Sequence, residues 1–123
     1  MPEEGIALEL RSEIQEGICI VHIPDDITTD AIRDFDGYMK KKVMSQHSNV
    51  ILDMAEIDYF CSSAYGVMLS CLEKVRAKGG DLVLANVSES VQRLFEVTRL
   101  TSVVRLEKDM EAALRYFKRL HSK

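Results

Sequence analysis

From residue 18 onward, strand-length apolar runs alternate with stretches whose apolar residues recur at helical spacing, and this alternation sharply narrows the folds available to the chain. Ile18-Cys19-Ile20-Val21-His22-Ile23 is apolar on nearly both faces, as in a central strand. Asn49-Val50-Ile51-Leu52-Asp53-Met54 and Leu82-Val83-Leu84-Ala85 have the same character, and Val103-Val104-Arg105-Leu106 reads as a short edge strand. Between them lie four helical stripes: Ile32, Phe35, Met39 and Val43; Val67, Met68, Cys71, Leu72 and Val75; Val91, Leu94 and Phe95; and Met110, Ala113, Leu114 and Phe117. Alternating Ile6, Leu8 and Leu10 add a half-buried first strand before a turn at Gly17. The resulting order, β-β-α-β-α-β-α-β-α, makes the crossovers after the first hairpin parallel. The expected class is therefore α/β, a mostly parallel or mixed sheet of about five strands with four to five helices.

Capping residues sit where these helices begin. Asp26, Thr28 or Thr29 precedes the first, Ser62 or Ser63 the second, Ser88 the third and Asp109 the fourth, while Lys78-Gly79-Gly80 stops the second. At 123 residues the expectation is one domain spanning 1–123. No apolar run reaches the roughly 18 residues of a membrane span, and the acidic Met1-Pro2-Glu3-Glu4-Gly5 start is not a secretory signal. Cys19, Cys61 and Cys71 form no Cys-x-x-Cys pair, which fits reduced thiols in a cytoplasmic protein. A formal net charge of −4 argues against nucleic acid as a partner.

The same inventory argues against catalysis. His22, His47 and His121 are not spaced with Cys or Asp as metal ligands, and no third member completes a nucleophile–base arrangement. Gly79-Gly80 lacks the Gly-Lys-Ser/Thr of a phosphate loop, so no cofactor is expected. Asp53 and Asp58, which bracket a loop, read as capping or solvated groups. The enzymatic alternative is a reactive Cys61 thiol at a helix start, against which stands a small residue filling a loop.

One segment invites a different chemistry. Phe60-Cys61-Ser62-Ser63-Ala64-Tyr65-Gly66-Val67 joins a buried strand to an amphipathic helix through two adjacent hydroxyls. N-capping is the plain reading of both serines. A phosphate on Ser62 would instead meet the free N–H groups and the positive end of the helix dipole. Tyr65 at this position suits either a partner contact or the shielding of the helix edge. Met68 and Cys71 extend that face if they lie outside the core.

These residues resemble STAS domains, and among them the bacterial anti-sigma factor antagonists. The family pattern is a strand ending in Asp-Leu, a short spacer, then Asp-Ser-Ser-Gly-Leu-Gly-Val opening a helix. Here Asp53-Met54 and Cys61-Ser62-Ser63-Ala64-Tyr65-Gly66-Val67 match it. The likeness continues through Lys78 to Ser88, Val91 to Leu100 and Glu111-Ala112-Ala113-Leu114. Cys61, Ala64 and Arg99 depart from the family's Asp, Gly and Gly. The resemblance implies a STAS-like fold that acts by binding and is not an enzyme. It implies phosphorylation at Ser62 by an anti-sigma factor serine kinase that itself binds ATP, with Ser63 as the cap. The unmodified form would hold that kinase and the phosphorylated form would let go. Asp25 or Asp26 would belong to the interaction surface, with Cys61, Ser63 and Tyr65 beside them. The alternative within the family is a scaffold or subunit of a transport or signalling assembly with no phosphorylation. An exposed edge strand near Val103 offers a route to a homodimer.

Overall fold

The computed structural model describes residues 8–122. Strands β1 (Arg11–Gln15) and β2 (Ile18–His22) form a hairpin around Glu16 and Gly17. Both turn residues have positive φ, 55° and 81°, the two-residue geometry that matches the twist of antiparallel strands. Helices then alternate with strands: α1 (Ile32–Tyr38), β3 (Asn49–Asp53), α2 (Ser62–Ala77), β4 (Asp81–Ala85), α3 (Glu89–Val97), β5 (Arg105–Glu107) and α4 (Met110–Leu120). The sheet order is β1-β2-β3-β4-β5, parallel everywhere except between β1 and β2. This is the α/β class that the alternation predicts.

The sheet divides the core in two. Cys19, Val21, Val50, Leu52, Leu82 and Leu84 point to one face, where Phe35, Met39, Met68, Leu72, Val91 and Phe95 of the α1, α2 and α3 layer cover them. Ile18, Ile20, Ile51, Val83 and Ala85 point to the other, covered by Ala113 and Phe117 of α4. The period-2 strand pattern thus places apolar side chains on both faces, which is why β2, β3 and β4 read as continuous apolar runs. Among the described residues no helix is long and apolar enough to cross a membrane.

Several local expectations are corrected. The first strand lies at Arg11–Gln15, with every residue exposed. Leu8 and Leu10 pack against the core ahead of it, and Ile6 falls outside the described residues. The tight turn sets this register, because it pairs Gln15 with Ile18 and counts back from there. The α1 stripe continues through one π-helical turn, Met39–Val43, which keeps Met39 and Val43 buried. Leu94 is 43% exposed, whereas Val91 and Phe95 face inward. Val103 precedes β5 and lies at the surface.

The ends of the elements show the local chemistry. Ser88 Oγ accepts from Val91 N and Asp109 Oδ1 from Ala112 N, so both expected caps form. Helix α2 ends at the expected glycines. Gly79 takes φ +85°, and a Cβ on Gly80 would lie 1.7 Å from the Ser48 carbonyl oxygen. Only glycine lets β4 start so close to the chain entering β3.

Candidate functional site

At the carboxyl end of the sheet, the connection from β2 to α1 (23–31) lies against the connection from β3 to α2 (54–61). An isolated parallel bridge joins Ile27 and Phe60. Ile27 N donates to Tyr59 O at 3.1 Å, and Cys61 N donates to Ile27 O at 2.9 Å. Asp26 completes the join: its Oδ1 accepts from Asp58 N at 2.7 Å and Tyr59 N at 3.0 Å. Asp26, one of the two acids expected on the partner surface, thus clamps two loops together and does not cap α1. Asp25 is exposed, its Oδ1 accepting from Asp26 N. Thr28 precedes the short 3₁₀ turn Thr29–Ala31 with no side-chain cap bond.

The start of α2 differs from both serine-cap expectations. Cys61 is the N-cap residue, and no side chain caps the helix. Its carbonyl accepts from Ala64 N at 2.9 Å and Tyr65 N at 3.3 Å. Those two amides are thus occupied, whereas among the described residues the Ser62 and Ser63 amides have no hydrogen-bond partner. Both serines are exposed in the first turn. Their hydroxyls stand free of the backbone because an extended Cys61 makes the entry to the helix before either is reached. Ala64 is fully buried, so its methyl points into the core and away from any docking surface.

Two further expectations are overturned. Cys61 is 4% exposed and cannot contact a partner without rearrangement. Tyr65 turns inward: its ring packs edge-on to Phe60 at 4.9 Å and against Phe95 at 5.2 Å. The Tyr65 hydroxyl is buried and, among the described residues, has no hydrogen-bond partner. Burial, and secondarily the nearby Tyr59, pushes its ionisation above the ordinary tyrosine range. Met68 and Cys71 are core residues. The aromatic that faces out on this loop is Tyr59, at 54% exposure. Its one signal in the sequence is position, between turn residues and outside every apolar stripe.

Beneath the loop lies a polar network that spacing did not reveal. Asp53 Oδ1 accepts from Ala55 N at 3.1 Å and Asn86 Nδ2 at 3.0 Å, while Oδ2 lies 2.8 Å from His22 Nδ1. His22 Nε2 lies 2.6 Å from Glu13 Oε2 on β1. Burial alone would raise the Asp53 carboxyl; bonds from Asn86, His22 and Ala55 outweigh it and hold the group below the usual carboxylate range. The β1 edge, the ends of β2 and β3 and the entry to the serine loop are thus tied to one carboxylate. Among the described residues no group of His, Cys, Asp and Glu is arranged to hold a metal ion.

A family model described as the STAS domain matches residues 9–113. The anti-sigma-B factor antagonist of Bacillus subtilis is 25% identical over 97 residues, covering 73% of this chain and 89% of that protein. The crystal structure of an anti-sigma factor antagonist from Mycobacterium paratuberculosis superposes with a TM-score of 0.80 at 14% identity, covering 90% of this chain and 94% of that one. The Bacillus protein SpoIIAA is similar both in its unphosphorylated form (TM-score 0.68, 14% identity, 94% of this chain and 100% of that one) and in its phosphorylated form (TM-score 0.66, 16% identity, 88% and 99%). At these identities the structural likeness shows the fold.

Proposed function

The chain belongs to the STAS domain family, and from that premise we propose that it acts as an anti-sigma factor antagonist switched by phosphorylation of Ser62. In its unmodified form it binds an anti-sigma factor that is also a serine kinase. Transfer of the γ-phosphoryl group of the partner's ATP to Ser62 Oγ forms the new O–P bond as the bond to ADP breaks and the hydroxyl proton is lost to solvent, and the partner is released.

The observation that carries this reading is the free, exposed Ser62 hydroxyl in the first turn of a sixteen-residue helix, on a loop fixed by Asp26 and the Ile27–Phe60 bridge. A fixed loop presents the hydroxyl in one geometry, which favours an in-line reaction. The phosphoryl group adds about −1.5 to −2 charges and three acceptor oxygens. The unpaired Ser62 and Ser63 amides and the helix dipole favour the anion, so the domain itself tolerates the modification. A partner packed over Ser62 would have to desolvate that anion, at several kcal/mol if it stays unpaired. Roughly 4 kcal/mol weakens binding about a thousandfold. Release then needs no refolding.

Incubation with a purified anti-sigma factor serine kinase and ATP, followed by peptide mass spectrometry, tests this directly. The expected product carries one phosphate, on Ser62, and Ser62→Ala carries none while still binding the kinase. Phosphate confined to another residue, or none at all, overturns the proposal.

A further inference from the structure

The overall charge of −4 is not spread over the molecule. Of 20 acidic residues, Asp25, Asp26, Asp30, Glu56 and Asp58 lie in segments 23–31 and 54–66, and none of the 16 Lys and Arg residues does. Outside those two segments 16 bases face 15 acids, close to neutrality. The two segments are also those joined by the Ile27–Phe60 bridge and the Asp26 clamp, so the fold gathers their charge around the start of α2. Among the described residues none of the five carboxylates forms an ion pair. Glu56 shares a cleft with the guanidinium of Arg11. Asp25, Asp30 and Asp58 are exposed.

Tyr59 stands among them. Its amide donates to Asp26 and its carbonyl accepts from Ile27, so the backbone under an exposed ring is held on both sides. A ring on a fixed backbone gives up little freedom on docking, and tyrosines of this kind carry a large share of interface energy.

Resting on the reading of this face as the one that meets a partner, we infer that the partner's matching surface is basic and holds a recess for the Tyr59 ring. Tyr59 is the anchor, and Asp25, Asp30 and Asp58 steer the encounter. Nucleic acid and anionic lipid bring phosphates and are repelled by this face; a protein surface rich in Lys and Arg is the complement. The phosphoryl switch then works in contact, where an unpaired dianion must lose its water. At a distance, added negative charge would draw a basic surface in.

The test measures association and dissociation rates with the purified anti-sigma factor serine kinase at low and high salt. Tyr59→Ala is expected to weaken binding about 30-fold, mostly through faster dissociation, and Tyr59→Phe to stay near wild type. Asp25→Asn with Asp58→Asn is expected to slow association several-fold at low salt and to flatten its salt dependence. Glu111→Gln on α4 serves as the control, with rates unchanged. Binding of Tyr59→Ala at wild-type strength, or wild-type association that salt does not slow, overturns the inference while leaving phosphorylation of Ser62 intact. Failure of the wild-type protein to bind the kinase overturns both.

Discussion

Arg99 adopts φ 64° and ψ 20° at the turn after α3, a left-handed conformation that the family resemblance gives to glycine. A side chain there costs about 1–2 kcal/mol, partly offset because glycine gains freedom in the unfolded chain. Arg99→Gly is therefore expected to stabilise the protein by about 0.5–1 kcal/mol, read as a higher urea midpoint at unchanged slope. A lower midpoint would mean that the Arg99 side chain holds the turn by contacts worth more than the strain. At this scale Tyr65, the aromatic expected at the surface beside Ser62, lies inward, and Tyr59, for which the sequence carried no expectation, faces out. Tyr65 lies three residues before Met68 and seven before Leu72, on the buried stripe of α2, so its inward turn was legible in the helical spacing. Tyr59 sits in an irregular loop, where spacing says nothing about direction.

At the scale of elements, the loops around the serine are shaped by carboxylates gripping backbone amides. Asp53 illustrates the energetics. Its carboxyl titrates below the ordinary value, so the stability it contributes is present above that value and is lost as pH falls through the depressed one. Asp53→Asn is expected to cost about 2 kcal/mol at pH 7, by loss of the charged bonds to His22, Asn86 and Ala55. The difference from wild type should shrink in urea titrations at pH 3; a gap independent of pH would assign the loss to packing. The same scale shows how far local reading reaches. The Ser88 and Asp109 caps were legible because each bonds an amide three residues on. Asp26 bonds amides 32 and 33 residues away, and no spacing rule connects them. The first strand was misplaced for a related reason: its alternating apolar residues precede it, and the Glu16-Gly17 turn alone sets its register.

Across the whole molecule, the strand–helix alternation carried the fold, because each crossover must cover one face of a parallel sheet. It did not show that all three thiols would be enclosed. Cys19, Cys61 and Cys71 are buried. Burial raises the Cys19 thiol, against a bond to Ser12, and pushes Cys71 up to about 11 despite nearby Lys74. Iodoacetamide at pH 8 is accordingly expected to label the native protein only as fast as it unfolds, and at all three cysteines together. Rapid, selective labelling of Cys61 would restore the alternative of a reactive thiol. The Asp26 clamp grips backbone and no side chain of its neighbouring loop. Because it holds main-chain amides, it is blind to the side chains at positions 58 and 59. Those two letters of the sequence can be rewritten with the frame beneath them unchanged, so that, on the proposed reading of this face, one scaffold can be readdressed to new recipients, in evolution or by design.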